Sequence, residues 1–242
     1  MFALVIPTFN ESYSLPFLLS ELENVWDRED LIIVVDDSEK VEHAATAKLI
    51  EGMVTKGFQT IIIKGKLKGG RGAAVLKAMR FLLKQGIHFD FVIEADADGS
   101  HRAADILAIK NYKRDSDFVI GSRYRQESKI VGWSFSRRLL SRMLNSLIPK
   151  MLDIETSDIT NGLRRYSLKA TRIICSYECK NSGFIYLSEQ AVYLKKSNIN
   201  PNEIPIIFAP RIAGESSVSK KDLINSLFGL MNIMKMRRNW NA

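Results

Sequence analysis

Five short apolar runs rich in β-branched residues, each followed by polar or helix-forming sequence, constrain this chain more than any other feature. They are ALVI (residues 3–6), LIIVV (31–35), TIII (60–63), FVIEA (91–95) and DFVIG (117–121). Short continuous apolar runs of this kind read as strands buried on both faces. Between them, Leu15, Leu18, Leu19 and Leu22 recur at helical spacing. So do Ala74, Leu76, Met79 and Leu82–Leu83, with Gly86 placed to end that helix. Strands alternating with helices predict an α/β domain: a mostly parallel central sheet with right-handed crossovers and a helical layer on each face.

Such sheets bind ligands beyond the carboxyl ends of their strands. The polar segments after the five runs are therefore expected on one rim: PTFNE (7–11), DDSE (36–39), KLKGGRG (66–72), DADGSH (96–101) and SRYR (122–125). That rim gathers carboxylates beside Arg71, Arg123 and Arg125, and like charges so close need a cation or hydrogen-bond donors to compensate them. Asp96 and Asp98, expected at the surface, suit a hard divalent cation, Mg2+ or Mn2+, which takes oxygen ligands and keeps positions for water or phosphates. Two solvated turn aspartates before a turn glycine are the alternative on these residues alone. Glu94 is expected on the strand, facing away from the pair or beneath it, and His101 on the surface where the next helix begins. The GGRG stretch (69–72) either offers backbone N–H groups to a phosphate or forms a plain turn. It lacks the spacing of a dinucleotide fingerprint or a Walker loop.

A formal net charge of +8 points to a phosphate-bearing partner. The basic excess is concentrated in the second half. No acidic residue occurs from Lys129 to Lys150, where Arg137, Arg138 and Arg142 accompany an apolar face carrying Leu139, Leu140, Met143, Leu144 and Leu147. The last apolar stretch ends in Arg237, Arg238 and Trp240, and is shorter than a bilayer span requires. Both segments suit helices lying at a membrane surface, with packing on the sheet as the alternative. The two cysteines, Cys175 and Cys179, argue against a disulfide framework and structural zinc. With no secretory pattern at the N-terminus, a cytoplasmic protein is expected. The expected division is a domain over 1–220 and a C-terminal amphipathic helix over 221–242.

The segments VIPTFNE, VVDDSE, KGGRGAA, EADADGSH, GSRY, GW…SRRLLSR, SDITNGLRRY and EIPIIFAPRIAGES occur in one order. Together they resemble the dolichol-phosphate mannose synthase branch of the inverting, GT-A-type family 2 glycosyltransferases, from Leu4 to about Ser217. The resemblance implies a GT-A, Rossmann-like three-layer sandwich. It also implies a nucleotide-sugar donor, a polyprenyl-phosphate acceptor, a Mg2+ or Mn2+ cofactor, and peripheral association with the cytoplasmic face of a membrane, with or without a membrane-anchoring subunit. Carried over by motif, Pro7, Phe9 and Glu11 contact the base and ribose, as do Val35 and Asp37. Asp96, Ala97 and Asp98 form the metal turn, and Ser100 takes the place of an occasional third ligand. Arg71 and Arg211 join the donor-binding set. Arg123 matches a phosphate-binding arginine, and Arg137 or Arg138 meets the acceptor phosphate. Phe9 stands where tyrosine is usual, Ser217 replaces a lysine that here comes later as Lys220, and TNG (160–162) departs from the usual pattern.

A phosphate acceptor is already an anionic nucleophile and needs arginines to position it. A hydroxyl acceptor needs a general base, for which Asp98 is the candidate. The leading expectation is transfer of a hexose, mannose from GDP-mannose, to a polyprenyl phosphate. The alternative is UDP-glucose or another donor with a saccharide hydroxyl acceptor. A non-catalytic nucleotide- or RNA-binding protein is the more distant reading. No nucleic-acid partner is expected, because the basic surface lacks interleaved aromatics and Asp96 and Asp98 would repel phosphate without a metal.

Overall fold

The structure, a computed structural model, describes residues 1–179, 181, 185–212 and 220–240, and within the last segment the side chains of 226–237. The five apolar runs form β1 (Phe2–Thr8), β2 (Leu31–Asp36), β3 (Gln59–Lys64), β4 (Phe91–Glu94) and β5 (Phe118–Ser122). Helices α1 (Leu15–Leu22), α2 (Lys40–Thr55), α3 (Arg71–Lys84) and α4 (Ala103–Asn111) connect them. Gly86, at φ 64°, follows α3 as the left-handed residue that its sequence position predicts. β1, β2, β4 and β5 are buried along nearly their whole length, but β3 is the sheet edge and is half-exposed rather than buried on both faces.

The second half adds the short strand β6 (Lys129–Ile130), α5 (Phe135–Leu152), β7 (Arg164–Ser167), α6 (Leu168–Ser176), α7 (Tyr186–Lys196), β8 (Asn202–Pro205), β9 (Ile207–Phe208) and α8 (Lys220–Trp240). The seven-stranded sheet has the order β3-β2-β1-β4-β7-β5-β8, and β6 pairs with β9 apart from it. All its pairings are parallel except those of β7, which runs antiparallel between β4 and β5. Because β7 runs backwards, the turn at 160–162 that precedes it reaches the same rim as the segments that follow β1, β2, β4 and β5.

Two cores flank the sheet. Leu4, Ile6, Ile32 and Val34 face α1, α2 and α4, whereas Val5, Ile33 and Val35 face α3, α6 and α7. α8 packs against α7 and buries Leu230 and Ile233 in the second core. Its Arg237 pairs with Asp153 (3.3 Å) and donates to the Met151 carbonyl (3.0 Å), joining α8 to the end of α5. The outer sides of both helices remain apolar and exposed, through Leu139, Leu140, Met143 and Leu147 on α5 and Leu227, Phe228 and Met231 on α8. The side chains of Arg238 and Trp240, like Ser217, lie outside the described residues.

Candidate active site

β2 and β4 flank β1 on opposite sides, so the crevice beyond their carboxyl ends lies where the strand order reverses. On its β2 side, the buried Asp36 accepts from Thr8 Oγ1 (3.0 Å) and from the Ser38 N–H (3.1 Å), while the Asn10 N–H donates to Ser38 Oγ (2.7 Å). Asp36 thus locks the first two rim loops together, a role the sequence reading passed over in favour of its neighbour. Asp37 sits beside it, and burial pushes its carboxyl up against the opposing pull of the Gly69 and Gly70 N–H groups. A Cβ at Gly65 would fall 1.7 Å from Asp37 Oδ1. The loop after β3 therefore wraps around a carboxylate, and its glycines serve that close approach. Phe9 is exposed at the mouth with Lys68 Nζ 6.0 Å from its ring centroid, and Pro7 is half-buried. The Val35 side chain is wholly buried in the core.

On the β4 side, Glu94 lies beneath the aspartate pair, fully buried. It accepts from the Tyr166 hydroxyl (2.7 Å), from Tyr186 and from Arg71 Nη1 (2.7 Å). Burial pushes its carboxyl up, and Arg71 and Arg164 oppose that. Arg71 also donates through Nε to Asp96 Oδ1 (2.6 Å) and through Nη2 to the Gly162 carbonyl (2.8 Å). Burial alone would raise the Asp96 carboxyl, but the Arg71 guanidinium paired with it holds it well below the usual carboxylate range. Asp98 pairs with Arg211 Nε (3.0 Å) and accepts from the Ser100 N–H (2.9 Å). Neither aspartate is the open surface residue expected: Asp98 is buried and Asp96 half-buried, each against a guanidinium. Ala97 between them is buried. Glu11 shares the crevice. Burial raises its carboxyl, Ser14 opposes that, and Asp98 and Arg211 act on it in opposite directions.

His101 is not a surface residue. It is wholly buried, edge-on to Phe208 with ring centroids 5.6 Å apart. The sequence does carry a signal for this, because a histidine directly after a tight turn can hydrogen-bond back to the turn's backbone.

Across the crevice stand the arginines. Arg123 donates from Nε and Nη2 to the two oxygens of Asp158 (both 2.7 Å), and from Nη2 to Thr160 Oγ1 (2.7 Å). Its guanidinium lies 5.2 Å from the Trp133 ring centroid, and that of Arg137 lies over the same ring at 4.1 Å. Burial lowers the Arg137 guanidinium's affinity for its proton, and the nearby charges of Arg211 and Arg123 lower it further. Among the described residues, Arg137 has no carboxylate within ion-pair distance. Arg138 points elsewhere, donating to the Ile130 carbonyl (2.9 Å). Asn145 of α5 clamps Thr160 at both its N–H (3.2 Å) and its hydroxyl (2.9 Å).

The residues present fit a hard divalent cation. Asp96, Asp98 and Ser100 supply only oxygen donors, and Ser100 Oγ is buried without a hydrogen-bond partner among the described residues. No group of three His, Cys, Asp or Glu side chains is placed to hold a metal there among the described residues. Two carboxylates and a hydroxyl leave coordination positions of a hard cation open, so the set suits an ion shared with a ligand's oxygens.

An aspartate pair at the switch point of a parallel sheet, faced by guanidinium groups, suits a diphosphate-bearing ligand. The sequence model of glycosyl transferase family 2 matches residues 3–173. The undecaprenyl-phosphate mannosyltransferase of Micrococcus luteus is 31% identical over 216 residues, covering 89% of this chain and 86% of that protein. The polyprenol monophosphomannose synthase of Mycolicibacterium smegmatis is 25% identical over 225 residues, 93% of this chain and 83% of its own length. Among solved structures, glucosyl-3-phosphoglycerate synthase from Mycobacterium tuberculosis in complex with Mn2+, UDP and glucosyl-3-phosphoglycerate superposes with a TM-score of 0.61 at 12% identity, covering 98% of this chain and 79% of that one. The chain belongs to glycosyl transferase family 2: it is a glycosyltransferase of GT-A fold.

Proposed function

We propose that this enzyme moves one hexose, mannose from GDP-mannose, onto a polyprenyl phosphate at a membrane surface. The observation that carries the reading is the Arg137 guanidinium, stacked on Trp133 beside Arg123 and Arg211. It lies within electrostatic reach of Asp98 and has no carboxylate within ion-pair distance among the described residues. It begins a helix whose outer side is apolar and basic, as a lipid-borne phosphate requires. The names of the two bacterial relatives support the same acceptor class and the same sugar.

In this reading the base and ribose lie against Pro7, Phe9, Glu11 and the 35–37 segment. Asp96, Asp98 and Ser100 would hold Mg2+ or Mn2+, which would supply positive charge to offset the donor diphosphate as leaving group. Arg211 turns from Asp98 to that diphosphate. Arg137 and Arg123 align the acceptor phosphate with the anomeric carbon, and no general base is needed because the nucleophile is already an anion. Arg71 contributes from beneath, by holding Asp96. Arg138, engaged with the Ile130 carbonyl, steadies the start of α5. The exposed apolar sides of α5 and α8 suit attachment at the cytoplasmic face of a membrane, and no helix among the described residues is long and apolar enough to cross one.

The test is to incubate purified protein with Mn2+, radiolabelled nucleotide sugars and a polyprenyl phosphate, and to follow label into the organic phase. Transfer from GDP-mannose, abolished by EDTA, is expected. Label that passes only to soluble saccharides would replace this reading with the hydroxyl-acceptor one, in which Asp98 is the base.

A further inference from the structure

The turn at 96–98 and the turn at 160–162 are joined by two separate routes. In the first, the Asp96 N–H donates to His101 Nδ1 (2.9 Å), so the ring proton sits on Nε2, which donates to Asn161 Oδ1 (3.1 Å). The Asn161 amide then donates to the Gly121 carbonyl at the end of β5. In the second, Arg71 joins the Asp96 carboxylate (2.6 Å) to the Gly162 carbonyl (2.8 Å). A Cβ at Gly162 would fall 2.5 Å from Arg71 Nη2, so a larger residue there would displace the guanidinium from this passage. Both routes end on a three-residue turn whose first member, Thr160, accepts from Arg123. His101 is wholly buried behind Phe208. Its two ring nitrogens are spent on bridging the turns.

We propose that His101 and Arg71 are positioning residues that hold the 160–162 turn, and with it the Arg123 guanidinium, in register with the donor turn at 96–98. The proposal rests on the transfer reading above. Its consequence is geometric, since a misplacement of about 1 Å between reacting groups costs on the order of 100-fold in rate.

His101→Phe keeps a ring against Phe208 and removes both hydrogen bonds, and Asn161→Ala removes the far end of the same route. The first readout is hydrogen–deuterium exchange of the full-length protein with and without GDP and Mn2+. In the unaltered protein the nucleotide should slow exchange at 96–101 and also at 158–163. In either variant the second effect should weaken while the first remains, because the Arg71 route is still in place, and equal protection of 158–163 in all three proteins would overturn the proposal. The second readout is steady-state transfer from GDP-mannose to a polyprenyl phosphate. Each single variant should lose roughly 10- to 100-fold in kcat with donor KM changed by less than about threefold. The double variant should be no slower than the worse single, because both break one path. Losses that add in the double variant, or that fall equally on kcat and donor affinity, would also overturn it. His101→Asn, which keeps an acceptor for the Asp96 N–H, should recover part of the loss. If the unaltered protein moves no sugar, the transfer reading fails, and the exchange experiment still decides whether the turns are coupled.

Discussion

α3 and α5 carry similar apolar faces in sequence, and each has an arginine in its first turn at the rim. Their fates are opposite. α3 buries Val75, Ala78, Met79 and Leu82 against the sheet, and its Arg71 is locked onto Glu94 and Asp96. α5 buries only its last turns against the core, leaves Leu139, Leu140, Met143 and Leu147 exposed, and holds Arg137 over Trp133 among other cations. Apolar periodicity says that a helix has a greasy side. What covers that side depends on the neighbours: β1 and β2 lie under α3, whereas among the described residues no element of the sheet lies over the outer face of α5. An arginine on the first kind of helix holds the site together, and one on the second is available to a ligand.

The sharpest way to break this contrast is to remove each arginine. Arg71→Ala leaves Glu94 buried without its guanidinium partner, and should cost roughly 3–5 kcal/mol of stability, read as a lower urea midpoint. The core face of α3 comes next: Leu82→Ala should cost about 2–5 kcal/mol, while Leu147→Ala on α5 should stay within about 0.5 kcal/mol. Equal losses in thermal unfolding would mean that the outer face of α5 is covered after all. Arg137→Ala should leave the unfolding midpoint unchanged yet lose about 2–4 kcal/mol of transition-state binding, roughly 30- to 1000-fold in transfer to polyprenyl phosphate. Arg138→Ala should do much less, and the reverse ranking would reassign the acceptor contact. The smallest effect concerns the lipid surface. Leu147→Gln should weaken flotation with anionic vesicles by about 1 kcal/mol or less, and raised salt should weaken it further.

The first five strands were legible because each is a short apolar run rich in β-branched residues, and the sheet buries all of them but the edge strand β3. β7 was not, because its sequence, RRYS, is polar. Arg165 is accommodated by backbone carbonyls of Ile109, Lys110, Tyr112, Lys113 and Ser116, and Arg164 by those of Ile159, Asn161 and Leu187. Paired in that way a guanidinium can lie at the centre of a sheet, but no periodicity announces it. At the site, the rim segments and the aspartate pair were readable from their place after buried strands. What those residues hold on to was not, since Glu94–Arg71 and His101–Asn161 join positions far apart in sequence. Motif position left Arg137 and Arg138 equivalent. The structure separates them, because successive residues on a helix point about 100° apart.

The reversed strand β7 has a consequence for how this chain is made. It lies between β4 and β5, yet it is synthesised after both, with the whole of α5 intervening. A nascent chain that has emerged through Leu152 can form the β3-β2-β1-β4 part of the sheet, but β4 and β5 still present open edges with nothing to bridge them. Unpaired edges are where chains recruit the wrong partner. Closure of the sheet must therefore await the RRYS segment, and the charge on its two arginines keeps that late strand soluble until the carbonyls that will receive it are in place.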